Sequence, residues 1–99
     1  MADMEHVQLA ASRVINQVLA GRNLNQQLGA ALRTLPDLTP QQRGAVQDIS
    51  YGVLRYYARL ERVLAQLLHH PMQDERIRCL MLAALYQLQY SKAAPHAVV

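Results

Sequence analysis

Apolar residues recur at the spacing of a helix through the middle of the chain, from Thr39 to His69. On a helical wheel of roughly 100° per residue, one side of this stretch is apolar and holds Val46, Ile49, Val53, Tyr57, Leu60, Leu64 and Leu67. The opposite side holds three arginines, Arg55, Arg59 and Arg62. The pattern predicts a core helix with a solvated, basic outer face.

The predicted helix has clear limits at both ends. Thr39 is a suitable N-cap, Pro40 suits the first helical position, and Gln42 completes a capping box. The apolar pattern continues to His70, and Pro71 then ends it. A straight helix of this length would span roughly 45 Å, more than a small domain needs. We therefore expect a bend, either at Gly52 or within residues 55–59; Gly52 would alternatively let another helix approach closely.

Three further helices are predicted from the same kind of pattern. The first runs from about His6 to Ala20 and is followed by Gly21, while the second begins after an Asn23 cap and ends before Pro36. The last follows a cap at Asp74 or Gln73. Its main apolar stripe is Ile77, Leu80, Met81, Ala84, Leu85 and Leu88, and Cys79, Leu82 and Tyr86 fill much of the remaining circumference. A helix that is apolar nearly all round is expected at the centre of the fold, so the sequence predicts an all-α domain.

Size and charge add two points. The 99 residues are enough for one domain, covering 1–99. The net charge of +3 is unevenly placed, because residues 51–99 carry five arginines and Lys92 against three acids. An anionic partner is expected on that half, although a plain solvated helix face explains the charges equally well.

Several functional classes are disfavoured by the sequence. There is no glycine-rich phosphate loop, no metal-binding spacing of cysteines and histidines, and no convergent set of titratable groups. Cys79 lies on the most apolar helix and is expected to pack rather than react, and His69-His70 is expected at a frayed helix end. One cysteine, no leader and no membrane span predict a soluble cytoplasmic protein. The acids are scattered over predicted surface positions, so we expect that the chain is not itself an enzyme.

The sharpest functional candidates are Arg55, Arg59 and Arg62. Guanidinium groups on one helix face can contact successive phosphates of RNA, which is read largely through its backbone and shape. Tyr51 lies beside that face and is expected to stack on a base, and Lys92 is a further expected contact; Tyr56 and Tyr57 are expected to point toward the core. The alternative is that Arg55 and Arg59 pair with Glu61, with Asp48 or with an acid on a neighbouring helix.

Three segments together resemble one family. The first is Leu9-Ala10-Ala11-Ser12-Arg13-Val14 with Val18-Leu19, Gly21 and Leu24 to Leu28; the second is Tyr51-Gly52-Val53-Leu54-Arg55 with Leu60, Leu64, Leu67 and Leu68; the third is Leu85-Tyr86-Gln87-Leu88-x-Tyr90 with Pro95-His96-Ala97-Val98. In this order and spacing they resemble the NusB-like N-terminal domain of the Sun/RsmB methyltransferases, which form 5-methylcytosine in small-subunit ribosomal RNA.

The resemblance implies a helical bundle that helps to hold ribosomal RNA, attached to a catalytic domain that uses S-adenosylmethionine. In that family further helices follow the Pro-His-Ala segment, so the chain is expected to be truncated before the last helices of its bundle. The cofactor motif and catalytic cysteine of the family have no counterpart here, and Cys79 does not inherit that role. The implied partners are ribosomal RNA and the protein's own missing catalytic domain.

Alternatives remain open at this point. The chain is also similar to NusB itself, a transcription antitermination factor that binds leader RNA with a ribosomal protein. Gln87 and His96-Ala97 favour the methyltransferase family. The basic face could instead dock on another protein, and an apolar stripe left exposed by truncation would favour a homodimer.

Overall fold

Five helices joined by short connections make up the part of the chain that this computed structural model describes, residues 4–90. They are α1 (Met4–Leu19), α2 (Leu24–Thr34), α3 (Pro40–Arg55), α4 (Tyr57–Leu67) and α5 (Glu75–Gln89). No strand occurs among these residues. The predicted all-α class is confirmed.

The helix starts follow the predicted local signals. The Thr39 hydroxyl accepts from the backbone N–H of Gln42 at 3.1 Å, and the Gln42 side chain accepts from the Thr39 N–H at 2.9 Å, which completes a capping box. Asn23 and Asp74 cap α2 and α5 in the same manner, each accepting a backbone N–H of the first turn. Gly21, just after α1, has a φ of +103°, a conformation that favours glycine.

The long central helix is broken at one residue, Tyr56, inside the second of the two predicted bend regions. Its φ of −106° and ψ of 24° lie outside the helical range, although its N–H still donates to the Gly52 carbonyl at 3.0 Å. The second part, α4, ends at Leu67. The predicted extension to His70 is therefore wrong by three residues, and His69 and His70 lie in the exposed segment that follows.

Helices α1, α3 and α5 form the centre of the bundle, and each contacts the other two. Helix α2 packs on α1 and α3, while α4 packs on α3 and α5. The fold measures 38 × 38 × 21 Å, so it is about two helix layers thick. Among the described residues, no helix combines the length and apolar character that a membrane crossing requires.

The buried face of α5 differs from the predicted one. Its core side is formed by Cys79, Leu82, Ala83, Leu85 and Tyr86. Of the predicted main stripe only Leu85 is buried; Ile77 is 45% exposed and Leu88 is 73% exposed. A two-layer bundle covers only one side of α5, and a helix that is apolar nearly all round gives no local signal for which side that is.

Candidate nucleic-acid interface

The predicted basic face spans the break between α3 and α4. Arg55 is the last residue of α3, while Arg59 and Arg62 lie one turn apart on α4. All three residues are exposed. We call these three arginines the basic surface. Because Tyr56 interrupts the helix, the basic surface is divided between α3 and α4 and does not follow one continuous helix face.

None of the three arginines forms an ion pair with an acid among residues 4–90. The two acids expected to neutralise them are engaged elsewhere. Asp48 accepts a hydrogen bond of 2.9 Å from the Tyr86 hydroxyl, and Glu61 accepts from Arg78 at 3.1 Å. The described residues therefore leave the positive charge of the basic surface available to an external anion.

Arg78 behaves in the opposite way, because three groups surround its guanidinium. It donates to Glu75 at 2.7 Å, to Glu61 at 3.1 Å and to the Tyr57 hydroxyl at 2.6 Å, and its side chain is only 15% exposed. These charge-assisted bonds raise the pKa of Arg78 and lower that of Glu75. The network joins α4 to α5 and so fixes the helix that carries Arg59 and Arg62.

Next to the basic surface, aromatic rings stack in a row from the core to the surface. The rings of Tyr56 and Tyr90 are parallel within 2°, with centroids 4.4 Å apart, and the Tyr90 and Tyr86 centroids are 5.6 Å apart. The Arg55 guanidinium lies over the Tyr56 ring, 5.5 Å from its centroid, within the range of a cation–π contact. We call Arg55, Tyr56, Tyr90 and Tyr86 the tyrosine column.

The inner end of the tyrosine column depends on a glycine. A β-carbon at Gly52 would overlap the ring and hydroxyl of Tyr86, so Gly52 is what lets this ring lie directly against α3. The Tyr86 hydroxyl then donates a hydrogen bond to the carboxylate of Asp48, one turn earlier on α3. Burial and this carboxylate raise the pKa of Tyr86 to about 12, so the hydroxyl remains a donor at neutral pH.

The remaining predicted contacts stand apart from one another. Tyr51 is 41% exposed and lies one turn before Arg55 on α3, and its hydroxyl donates to the Asn25 side chain at 2.6 Å. This bond ties α3 to α2 and leaves much of the ring open to solvent. Lys92 lies outside the described residues. Tyr56 and Tyr57 are half-buried, in keeping with their predicted inward direction.

Two features of this region were missed by sequence reasoning. The stacking of Tyr56 on Tyr90 joins residues far apart in the chain, and the only local hint is that Tyr86 and Tyr90 are four residues apart on one helix face. Arg78 was not recognised as the arginine that pairs with two carboxylates, Glu61 and Glu75. Its partner Glu75 stands three residues earlier, a spacing that does favour pairing.

A second distinctive surface is apolar and lies on the outer side of α5. It consists of Ile77, Leu80, Met81, Ala84 and Leu88, which we call the α5 apolar face. Leu80 and Ile77 also line a groove of about 550 Å³ between α1 and α5, together with Leu9 of α1. Leu9 is itself 39% exposed. Ile77 and Leu88 at the ends of this face are open to water, and its centre is half-buried. An exposed apolar patch of this kind is typical of a surface that another element covers.

The titratable groups of residues 4–90 include one buried cysteine and no metal-binding cluster. Cys79 is fully buried in the core and burial raises the pKa of its thiol, which makes it a packing residue. No group of three or more histidine, cysteine or acidic side chains among the described residues is arranged to hold a metal ion.

Comparison with known proteins gives a consistent family. Residues 5–99 match the NusB family. Similar curated proteins include several named ribosomal RNA small subunit methyltransferase B. That of Pseudomonas putida is 37% identical over 92% of this chain and 21% of its own length, and that of Pseudomonas syringae pv. tomato is 35% identical over 92% and 20%. The Sodalis glossinidius protein is 32% identical over 95% and 22%.

The coverage of these matches is uneven. The chain spans about a fifth of the length of the curated relatives it matches, while most of its own residues are covered. No solved structure matches the chain significantly.

Proposed function

This chain belongs to the NusB family, and from that premise we propose that it is the RNA-binding, non-catalytic part of a small-subunit ribosomal RNA methyltransferase. The name shared by its relatives supports this proposal, and it favours the methyltransferase over an antitermination factor. The family resemblance makes 5-methylcytosine the product. The proposal places the protein in the cytoplasm, where ribosomal RNA is modified.

The observation that carries the RNA-binding role is the state of the basic surface. Arg55, Arg59 and Arg62 are exposed and form no ion pair among residues 4–90, whereas Arg78 forms ion pairs with two carboxylates. Arginines that give up no internal ion pair can neutralise phosphates by releasing the counterions bound to RNA. Such contacts supply affinity and orientation, and they place the target nucleotide for a reaction performed by other residues.

Residues 4–90 do not contain the structural motif that would bind the methyl donor S-adenosylmethionine. Residues 4–90 contain no strand, and therefore no strand–loop–helix cradle of the kind that binds S-adenosylmethionine in Rossmann-like domains. We assign the cofactor and the bond-making residues to a catalytic domain outside residues 1–99. That domain is the second proposed partner of this chain, after ribosomal RNA.

The α5 apolar face supplies a further partner for the chain on its own, a second copy. If two α5 helices pair antiparallel about a two-fold axis, Ile77 lies opposite Leu88 of the second copy, and Met81 lies opposite Ala84. A two-fold interface requires this self-complementarity. The pairing sets a large side chain against a small one at the centre and joins the two most exposed positions at the ends. No charged residue falls within the face.

The test of RNA binding is a triple variant in which Arg55, Arg59 and Arg62 are changed to alanine. Affinity for small-subunit ribosomal RNA fragments is measured by fluorescence anisotropy across a range of salt concentrations. The slope of log affinity against log salt is negative, and each lost phosphate contact makes it shallower by about 0.7 to 0.9. Loss of all three contacts therefore makes the slope shallower by about 2 to 3.

A matched control removes the same charge elsewhere. Arg13, Arg22 and Arg33 are exposed on the α1 and α2 side of the fold, and their triple alanine variant is expected to keep most of the slope. Equal losses in the two variants would mean a diffuse charge effect. An unchanged affinity and slope in the first variant would remove the basic surface from the proposal and favour its docking on a protein.

A further inference from the structure

Arg55 differs from the other two arginines of the basic surface in its surroundings. Its guanidinium lies over the Tyr56 ring, whereas no aromatic contact is found for Arg59 or Arg62 among residues 4–90. One face of the Arg55 group is thus turned to an aromatic ring. The residue is exposed and free of carboxylate partners within that range, so the other side of the guanidinium faces water.

The Tyr56 ring beneath Arg55 rests on the two further rings of the tyrosine column, and the innermost ring is anchored to Asp48. Tyr56 is stacked parallel on Tyr90 at 4.4 Å, and Tyr90 on Tyr86 at 5.6 Å. Tyr86 is 6% exposed and is bonded to Asp48. The column therefore begins in the core and ends on a planar cation at the surface, and each layer restricts the one above it.

A supported planar cation favours one kind of RNA ligand. Unpaired bases in loops stack on arginine planes and aromatic rings, while paired bases are already stacked on each other and offer only their backbone. Arg59 and Arg62 lie on α4, in the same basic surface, and their charges are suited to contacts with RNA phosphates.

We propose that Arg55 is a stacking platform for an unpaired base of the bound RNA, with Arg59 and Arg62 holding the flanking phosphates. This inference rests on the proposed RNA-binding function and deepens it. It names looped or single-stranded RNA, and not a continuous duplex, as the ligand of the basic surface.

The test exchanges arginine for lysine, which keeps the charge and removes the plane. Arg55→Lys and the control Arg33→Lys, at an exposed arginine of α2 outside the basic surface, are compared for binding to an RNA hairpin with an unpaired loop and to a fully paired duplex of similar length. We expect Arg55→Lys to weaken hairpin binding about tenfold with little change in salt slope, while Arg33→Lys changes hairpin binding by less than about twofold. A fluorescent adenine analogue in the loop should be quenched by the unaltered protein and less by Arg55→Lys.

The outcomes separate this inference from the function on which it rests. Equal effects of the two lysine variants, or equal affinity of the unaltered protein for hairpin and duplex, would overturn the stacking role, although the salt slope of the triple alanine variant could still support RNA binding. Absence of salt-dependent binding to any RNA would overturn both. Unfolding temperatures of the two variants are compared first, so that a loss of binding is attributed to the side chain and not to the fold.

Discussion

The contact between Gly52 and Tyr86 predicts that Gly52→Ala destabilises the fold, against the usual preference of helices for alanine. The new methyl group would overlap the Tyr86 ring, and both residues are buried. If the helices move apart, overpacking costs about 1–3 kcal/mol. If the ring turns away, it loses the Asp48 hydrogen bond, about 1 kcal/mol, and its place in the tyrosine column, about 0.5–1.5 kcal/mol.

A control in the same helix isolates this effect. At Gly44, exposed on α3, an added β-carbon meets nothing within 4 Å, so Gly44→Ala should stabilise the chain by about 0.5–1 kcal/mol through helix propensity alone. The same gain offsets part of the cost at Gly52, which leaves a net loss of up to about 2.5 kcal/mol. Because the propensity gain is common to both variants, they should differ by the overpacking cost alone, about 1–3 kcal/mol in free energy of unfolding, measured by urea titration with circular dichroism.

The reasoning is refuted if Gly52→Ala is as stable as Gly44→Ala. A second check combines Gly52→Ala with Tyr86→Leu, which removes the ring that the methyl group would strike. The loss in the double variant should be clearly smaller than the sum of the two single losses, because the two residues touch. Simple additivity would show that the cost at Gly52 has another origin.

Two further predictions concern pH and association. The pKa of Tyr86 is raised from 10.0 to about 12 in the folded state, so the tyrosine of the unfolded chain ionises first as pH rises. The contribution of Tyr86 to stability is therefore full below pH 10 and is lost between about pH 10 and about pH 12. In urea titrations, Tyr86→Phe should lose less stability than the unaltered chain over that interval. Leu88 is the most exposed residue of the α5 apolar face. In sedimentation equilibrium, Leu88→Asp should convert the chain from dimer to monomer, with unchanged helix content. If the unaltered chain is already monomeric, the α5 apolar face is excluded as a self-association surface.

Much of the fold could be predicted from the sequence because its boundaries have local causes. The Thr39 capping box, the Asn23 and Asp74 caps and the left-handed Gly21 each depend on residues within one turn. The family resemblance carried by three short segments is likewise confirmed over residues 5–99. Local backbone preference and motif order are properties that a sequence displays directly.

The candidate site was only partly accessible in this way. The exposure of Arg55, Arg59 and Arg62 follows from the helical wheel, and it is found in the structure; their role toward RNA stays a prediction. That Glu61 pairs with Arg78 instead depends on how α4 packs on α5, which no local pattern encodes.

The two surfaces of α5 illustrate the same limit. A helix with apolar residues on nearly every side presents several equivalent faces to the core, and neighbouring helices decide between them. The stripe chosen from the sequence contains Ile77 and Leu88, which are open to water, while Leu82 and Ala83 are buried. Tertiary packing, and not hydrophobicity, determines the choice.

The thiol of Cys79 can report on transient local opening of the fold. It is the one cysteine among 99 residues, fully shielded on the core side of α5, and a labelling reagent can reach it only when that helix lifts from its neighbours. The labelling rate under native conditions therefore measures the frequency of that opening. Any ligand that clamps the bundle should slow the reaction without touching the sulfur.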